Sequence, residues 1–509
     1  MEPATQLPPP VNTDDALPTY EVATNKDPLT LIAPYVGRGD LFSASLVNRQ
    51  WRDAFMKEIW ERPDQLWGLG DRPVLTKFLL FLRTLSTTPD AREHARSLSL
   101  TTVQASIYSK LPAKWLSQVF LRLPNLQSFA VSSFPFFDHS SLLAVPPQSH
   151  TDLRTLYATS CTNTTVLSLT HLLSHLPSLV NLDLSGTNGA SHPSTLKLIA
   201  TKLPELRCLS LRELKLDDKA LSVIIQGMGA RLWKLDVGGN LLTDRTVGSL
   251  LDWSFAPPEY YTHTSACDEE DSPPPIMDFG AGGGLTHLRI AANRISNMGV
   301  QELLKSTRLE ALDVGAGLKN GIVGIAPALS IYAWKNLRTL RIDCGIVLQG
   351  LRPDRVKALK SLVLCAVPVA ANKRFTSALV DLIKSLEQSG VEVLELEMDD
   401  GTSDGREDVG MYSSSSGTND ASAAQSGDFS FFSGDPKEGE GGSSWMGDGT
   451  GGGGKEVNVI EEVGAYRKEC RETKSGWGGK VRVVRDLGGR GSIERGIGGE
   501  RWGVVREGV

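Results

Sequence analysis

The chain has 509 residues, of which 40% are hydrophobic and 22% are charged, and its formal net charge at pH 7 is -6. This length and apolar content predict two or more folded units, and the weakly acidic balance disfavours nucleic acid as a partner. No apolar run is long enough to cross a bilayer, so we expect no membrane association. The 6 cysteines stand singly, which predicts reduced thiols and a cytoplasmic or nuclear location.

Two different patterns occupy the first 70 residues. Residues 1–24 are polar and proline-rich and lack the features of a secretory signal, so we expect them to be disordered. In residues 25–70 apolar positions recur at helical spacing, which predicts a compact all-α module with one broad apolar face. We expect Asp40 to cap the second helix of this module. The apolar positions are Leu29, Ile32, Val36, Leu41, Leu46, Val47, Trp51 and Phe55.

The most informative phrase of the module is Ser-Leu-Val-Asn-Arg-Gln-Trp at residues 45–51, which follows Asp40 and Leu41. Further tryptophans stand at Trp60 and Trp67. Together these residues resemble the F-box family. The resemblance implies a substrate-recognition subunit of an SCF-type, cullin-RING ubiquitin ligase. Such a subunit docks its F-box on a Skp-family adaptor, which links it to the cullin ligase.

The resemblance assigns the docking to a set of apolar residues. The implied adaptor-binding residues are Leu29, Ile32, Leu41, Leu46, Val47 and Trp51. The chain departs from the family at the opening Leu-Pro pair, because residues 25–28 occupy that place and Leu17 and Pro18 lie further upstream. An alternative interpretation of the module is a helical cap for the end of the repeats that follow.

A linking helix is predicted within residues 71–94, and a repeated phrase begins after it. Between residues 95 and 398, Leu-x-x-Leu-x-Leu or a close apolar variant returns roughly every 26 residues. Each copy alternates apolar and polar positions like a half-buried strand, and a helical pattern follows most copies. One strand and one helix cannot bury their own apolar sides, so the units must stack into a curved solenoid. The predicted helices are 168–176, 195–203, 218–228, 243–252, 296–304 and 375–386.

Three polar residues support a more specific assignment of the repeats. Asn240 and Asn293 stand just after the last apolar position of their copies, and Cys161 stands there once. This pattern resembles leucine-rich repeats of the cysteine-containing and ribonuclease-inhibitor-like kind. The predicted fold class is therefore α/β, a leucine-rich-repeat solenoid with a curved parallel sheet and outer helices, preceded by a small all-α F-box-like module. Other copies carry Leu214, Gly317, Gly345 or Val367 at the same place, so the buried polar ladder is incomplete.

Three segments differ in composition from the repeats. Residues 254–284 are rich in proline, glycine and acidic residues and are predicted to be a mobile insertion. Residues 399–454 are rich in glycine, serine and aspartate and are predicted to be a disordered linker. Residues 455–509 are basic and predicted to be partly ordered. Their predicted elements are a helix at 457–470 and strands at 481–484 and 502–505.

Polar side chains between the core leucines point to the concave face of the predicted sheet. One position per strand gives the row Tyr157, Asp183, Ser210, Asp236, Arg289, Asp313, Arg341 and Val363. Because neighbouring parallel strands lie about 4.8 Å apart, its charges either pair with one another or receive a protein of mixed charge. Arginines there would also suit a phosphorylated motif. The predicted substrate-binding residues are Lys234, Asp236, His287, Arg289, Asp313, Arg338 and Arg341.

Motifs for catalysis and cofactor binding are missing from the sequence. His171 and His175 share a predicted helix without a third metal ligand, and the glycine runs 282–284 and 451–454 lack the strand and helix of a phosphate cradle. We therefore expect no catalytic residue, no metal, no cofactor and no enzyme activity. The competing hypotheses are the ligase subunit with an unknown protein substrate and a leucine-rich-repeat scaffold or inhibitor that is not coupled to ubiquitination.

Overall fold

The computed structural model describes residues 27–37, 39–67, 74–85, 87, 89–100, 111–147, 152–255, 284–318, 321–333, 335–399, 457–473 and 476–485. The amino-terminal stretch predicted to be disordered, most of the predicted insertion and linker, and the predicted strand at 502–505 lie outside these residues. Within them, no helix has both the length and the apolar character that a membrane crossing requires.

Short helices form the amino-terminal module and the segment after it. They are α1 (Pro28–Ile32), α2 (Leu41–Ser45), α3 (Arg49–Glu61), α4 (Val74–Thr84) and α5 (Pro89–His94), with 3-10 turns at Ala33–Tyr35 and Pro63–Leu66. The linking helix predicted from the sequence is thus two helices, α4 and α5.

Two side-chain caps fix where the module's helices begin. The Asp27 carboxylate accepts a hydrogen bond from the Leu29 N–H at 3.1 Å, and the Asn48 side chain accepts one from the Trp51 N–H at 2.9 Å. Such caps satisfy backbone donors that a helix leaves open at its start. Asp40 occupies the predicted N-cap position of α2, but its side chain makes no capping hydrogen bond there.

The module has a small core of its own. It consists of Ala33, Leu41, Ala54, Phe55 and Ile59, all nearly fully buried. Trp51 stacks on Phe55 with ring centroids 5.4 Å apart. This core is separate from the large core that runs through the repeats.

A series of aromatic contacts joins the module to the repeats. Trp60 packs against both cores and lies 6.3 Å from Phe81 of α4. Trp67 lies 5.5 Å from Phe78, and Phe78 lies 5.8 Å from Trp115, measured between ring centroids. Since Phe78 and Phe81 are buried against the first repeats, α4 covers the amino-terminal end of the solenoid.

One sheet of 12 strands runs through the repeats in the order of the chain, except that β11 and β13 pair separately. Its strands are β1 (Ser97–Ser99), β2 (Ser128–Ser132), β3 (Thr155–Thr159), β4 (Asn181–Asp183), β5 (Cys208–Ser210), β6 (Lys234–Asp236), β7 (His287–Arg289), β8 (Ala311–Gly315), β9 (Thr339–Asp343), β10 (Ser361–Pro368), β12 (Val393–Asp399) and β14 (Lys480–Arg485). Every neighbouring pair is parallel. The two remaining strands, β11 (Ala370–Ala371) and β13 (Val457–Asn458), pair antiparallel.

Helices connect most of these strands and pack on the side of the core that lies opposite the sheet. They are α6 (Trp115–Arg122), α7 (His139–Leu143), α8 (Val166–Ser174), α9 (Pro193–Lys202), α10 (Asp218–Met228), α11 (Asp244–Trp253), α12 (Asn297–Leu304), α13 (Ile325–Tyr332), α14 (Lys373–Ser385) and α15 (Val459–Thr473). The repeat leucines are fully buried between strands and helices. The predicted leucine-rich-repeat solenoid with outer helices is therefore confirmed.

Buried polar side chains link neighbouring repeats. The Asn240 amide donates to the Leu211 and Val237 carbonyls at 2.8 and 2.9 Å, and its oxygen accepts from the Leu214 and Leu216 N–H groups. These bonds satisfy backbone groups that would otherwise be buried without partners.

Asn293 and Thr187 repeat this arrangement. The Asn293 amide donates to the Val237 and Ile290 carbonyls, both at 2.9 Å. The Thr187 hydroxyl donates to the Ala158 carbonyl and accepts from the Cys161 N–H. The sequence pattern did not single out Thr187, because the consensus at this position is asparagine or cysteine.

The Asp218 side chain connects the amino-terminal ends of α10 and α11. Helix α10 begins at Asp218, as does the predicted helix 218–228, and its cap is Asp217. The Asp218 carboxylate instead accepts hydrogen bonds from the Thr243 N–H, the Thr243 hydroxyl and the Thr246 hydroxyl of the next repeat, at 2.8, 2.6 and 2.6 Å. Although burial raises it, these bonds bring the pKa of Asp218 below its usual value.

The carboxy-terminal segment completes the solenoid. Strand β14 adds to β12 as the last strand of the sheet, and α15 packs on α14. The Trp477 indole N–H donates to the Val391 carbonyl at 2.8 Å. The chain therefore covers the end of its repeats with a segment that is distant in sequence.

The predicted insertion needs a correction at its boundaries. Ser254 and Phe255 belong to the solenoid, since both are buried and Phe255 lies in the large core. The Leu285 N–H donates to the Ser254 carbonyl at 3.1 Å, so the two ends of the interval meet. Residues 256–283 lie outside the described residues.

We predict that residues 256–283 can be replaced by a short Gly-Ser link with almost no change in melting temperature, because loop length contributes only about 0.6 kcal/mol per doubling. Phe255→Ala should instead lower the free energy of unfolding by about 3 to 5 kcal/mol through the cavity it leaves. Thermal and urea denaturation measure both. Unfolding of the deletion variant would show that the segment packs as part of a repeat.

A second prediction concerns pH. Because the folded pKa of Asp218 lies below its unfolded value of about 3.9, its stabilising effect is complete well above pH 4 and is lost as the pH falls through the folded pKa. Asp218→Asn should therefore be less stable than the wild type at pH 7, and the difference should shrink below about pH 4. A difference that stays constant in urea titrations from pH 7 to pH 3 would contradict this role.

Candidate protein-binding surfaces

The sheet brings the predicted row of side chains into register on neighbouring strands. Tyr157 lies opposite Asp183, Asp236 opposite Arg289, and the pairing continues strand by strand to Val363. The side chains in this row are more enclosed than the sequence suggested. Asp183, Ser210, Asp236, Asp313 and Val363 are buried, and the other three are half-buried.

Arg341 is surrounded by carboxylates. Its Nη1 lies 2.9 Å from an Asp313 oxygen, and its Nε and Nη2 donate to Glu397 at 3.0 and 2.6 Å. Burial alone would lower the pKa of Arg341, but these two carboxylates raise it above its usual range. Only 12% of the side chain is exposed, so its guanidinium holds strands together and is not open to a ligand.

Arg289 makes a weaker pair. Its Nη1 lies 3.4 Å from an Asp236 oxygen, and 20% of its side chain is exposed. Asp236 also lies 3.9 Å from Arg212 and accepts a hydrogen bond from the Gly238 N–H at 3.2 Å. The Asp236 carboxylate therefore keeps partners when Arg289 is removed.

At the amino-terminal end of the row, Asp183 is also buried. Burial raises its pKa, and hydrogen bonds that it accepts from the Ser185 N–H and hydroxyl act in the opposite direction.

The carboxy-terminal strands extend the row beyond the predicted residues. Glu395 of β12 pairs in register with Val363 and with Arg482 of β14, whose Nη1 lies 3.9 Å from it. Glu397 supplies the strongest bonds to Arg341. The repeat phrase at β12 was faint and β14 lies beyond the array, so sequence reasoning missed these carboxylates and Arg482.

The remaining predicted residues lie where strands β6, β7 and β9 begin. Burial and Arg289 lower the pKa of Lys234, and burial and Lys234 lower that of His287. The His287 ring lies 4.9 Å from that of Trp233, of which 46% is exposed. The Arg338 side chain is 68% exposed. The predicted set therefore divides into enclosed charges in the row and accessible groups at the start of the strands.

The amino-terminal module presents a second surface. Of the residues that the resemblance assigns to an adaptor, Ile32, Leu46 and Val47 are exposed, by 46%, 84% and 61%. Leu29 and Trp51 are half-buried against the module's core.

Leu41 is placed differently. It is 1% exposed and supports the surface from beneath, so its predicted direct contact with an adaptor does not fit this structure. Further exposed apolar side chains on α1, α2 and the adjoining 3-10 turn were not singled out. They are Leu31, Tyr35 and Phe42.

His171 and His175, the residues considered for a metal, lie with their ring centroids 4.5 Å apart. A His171 ring nitrogen contacts the Val145 carbonyl at 3.0 Å. Burial and His171 lower the pKa of His175. In the part of the chain that the structure describes, no three His, Cys, Asp or Glu residues gather as metal ligands.

No protein-family model and no curated protein matches the chain. Among solved structures, Rad7 in its complex with Elc1 in yeast is 16% identical, with a TM-score of 0.37 over 76% of this chain and 96% of that chain. The leucine-rich-repeat-containing protein LegL7 from Legionella pneumophila is 17% identical, with a TM-score of 0.34 over 63% and 88%. TLR13, solved with ssRNA13, is 16% identical, with a TM-score of 0.29 over 60% and 46%. The assignment of the fold therefore depends on the repeats and the sheet of this chain itself.

We predict that Arg341→Met lowers the free energy of unfolding by about 3 to 5 kcal/mol, because it leaves Asp313 and Glu397 enclosed without their counter-charge. The matched variant Arg289→Met should cost about 1 kcal/mol or less, since Asp236 keeps other partners. Urea denaturation of both variants measures the difference. Equal and small effects would mean that the row does not brace the sheet.

Proposed function

We propose that this protein is the substrate-recognition subunit of an SCF-type ubiquitin ligase. The amino-terminal module binds a Skp-family adaptor, which connects it to the cullin, and the solenoid holds a protein substrate. No bond is made or broken on this chain, and it works in the cytoplasm or the nucleus. The observation that carries the proposal is the set of exposed apolar side chains on the module, led by Leu46 and Val47.

The burial pattern favours adaptor docking over the alternative role of the module as a cap. A cap turns its apolar face toward the repeats. Here α4 performs that task with Phe78, Phe81 and neighbouring residues. The exposed apolar side chains of α1 and α2 belong neither to the module's core nor to the large core. Exposed apolar patches of this kind mark binding surfaces for other proteins.

The arrangement of exposed and buried residues also suits an interface. Leu41 and Phe55 are buried in the module's core, and Leu46 follows the last residue of α2. Full burial of one such leucine contributes about 1.5 to 3 kcal/mol. A few anchors of this size, held in place before binding, are enough for a helix-in-groove contact with an adaptor.

A second candidate function is a leucine-rich-repeat scaffold or inhibitor that binds a protein without a ligase. The long parallel sheet, which both hypotheses share, supports it equally. The two functions differ only in what the amino-terminal module binds, so adaptor binding separates them.

We predict that Leu46→Ala combined with Val47→Ala weakens binding of a purified Skp-family adaptor at least a hundredfold, since interface anchors are worth about 2 to 4 kcal/mol each. Calorimetry measures the affinity, and circular dichroism should show an unchanged melting temperature because both side chains are exposed. Leu167→Ala is the matched control, because Leu167 is 64% exposed but lies on the solenoid. Full adaptor affinity in the double variant, or no adaptor binding by the wild type, would favour the scaffold.

A further inference from the structure

A basic cleft lies beside the concave row, near the ends where β7, β8 and β9 begin. It has a volume of about 240 Å³. Its lining comprises the cationic side chains of Arg308, Lys335 and Arg338, the carboxylate of Glu310, and Thr286, Thr307 and Asn336. Three cationic residues and one acidic residue therefore line the cleft.

The two arginines of the cleft make no close ion pair within the described residues. Arg338 Nε lies 3.9 Å from a Glu310 oxygen, at the outer limit of an ion pair. Arg308 Nη1 is buried and has no hydrogen-bond partner in the described part of the chain.

Contacts within the chain hold the walls of the cleft in place. The Asn336 amide donates to the Thr307 carbonyl and so joins two sides of the wall. Gly284, with a φ of +117°, lies directly against Arg308 Nη1, and a side chain at this position would collide with the guanidinium. The backbone at the start of β7 therefore makes room for the arginine.

An exposed aromatic side chain adjoins the cleft. The Thr286 N–H donates to the Trp233 carbonyl at 3.0 Å, so Trp233, which directly precedes β6, lies next to the cleft wall. Its ring is 46% exposed and is held against the His287 ring at 4.9 Å. Tryptophan and arginine are the side chains that most often dominate binding energy at protein interfaces.

We infer that this cleft binds an anionic side chain, either phosphorylated or carboxylate, of a protein segment, and that Trp233 takes an apolar residue next to it. Guanidinium forks match the oxygens of both anions, and a phosphate brings roughly two negative charges to the two arginines of the cleft. The inference deepens the proposed function, on which it rests for the identification of this segment as the substrate.

The contrast with the concave row supports this location. The forks of Arg341 are occupied by Asp313 and Glu397 at hydrogen-bonding distance. In the cleft, one arginine has a buried nitrogen without a partner and the other is mostly exposed. An incoming anion therefore displaces no strong ion pair at Arg308 and Arg338.

The test uses the purified full chain and three immobilised pools of peptides with randomised flanks. The central residue is phosphoserine in the first pool, glutamate in the second and serine in the third. We expect the phosphoserine pool, the glutamate pool or both to be retained about tenfold or more above the serine pool, with loss at high salt. The comparison of the first two pools separates a phosphate reader from a carboxylate reader. Equal retention of all three pools would overturn the inference.

Variants locate the binding. Arg308→Met with Arg338→Met should reduce retention of the anionic pool to the level of the serine pool. Arg338→Glu should do the same, and it alters a mostly exposed side chain that the fold does not need. Arg352→Met, outside the cleft, is the matched control. Unchanged anion preference in folded cleft variants would overturn the inference.

Trp233→Ala tests the apolar part of the site. It should abolish selection of apolar flanking residues while the anion preference persists. If the variant still selects apolar flanking residues, Trp233 is not part of the site. Because no adaptor takes part in these assays, their outcome is independent of whether Leu46 and Val47 bind one.

Discussion

The structure depends on the burial of leucines that no single repeat can cover. Leu182, Leu209 and Leu235 are fully buried only because a strand and a helix from each neighbouring repeat close over them. Burial of such side chains is the main favourable contribution to folding. Each repeat therefore stabilises its neighbours, and the two ends of the array must be covered by other parts of the chain.

The two ends of the array are covered in different ways. At the amino-terminal end α4 covers the first repeats, which leaves the preceding module with its own core and an exposed apolar surface. At the other end β14 and α15 close the sheet and add Arg482 to its concave side. Among the described residues, the amino-terminal module thus keeps an exposed apolar surface, whereas the other end is occupied by the chain itself.

Stacking of the repeats also decides which polar groups are accessible. The register that satisfies Asn240 and Thr187 inside the solenoid places Arg341 between Asp313 and Glu397 on its concave face. Charges enclosed in this way stabilise the arrangement of strands and are poorly suited to a ligand. Accessible charge is found instead at the start of the strands, where Arg338 and its neighbours surround a cleft.

The sequence by itself determined the repeats, the sheet with outer helices and the separate helical module, because these follow from periodic apolar positions that any local window reveals. It placed α10 at the residues where the structure has it, but it placed the insertion boundary two residues early, because Ser254 and Phe255 carry no distinctive local signal. Only the tertiary structure decided that Leu41 is buried in the module's core, that Arg341 is paired, and that Arg308 lines a cleft whose Thr286 is hydrogen-bonded to Trp233. These outcomes depend on residues that come together from different repeats. A local sequence pattern therefore does not show which charged side chain will pair with an opposite charge.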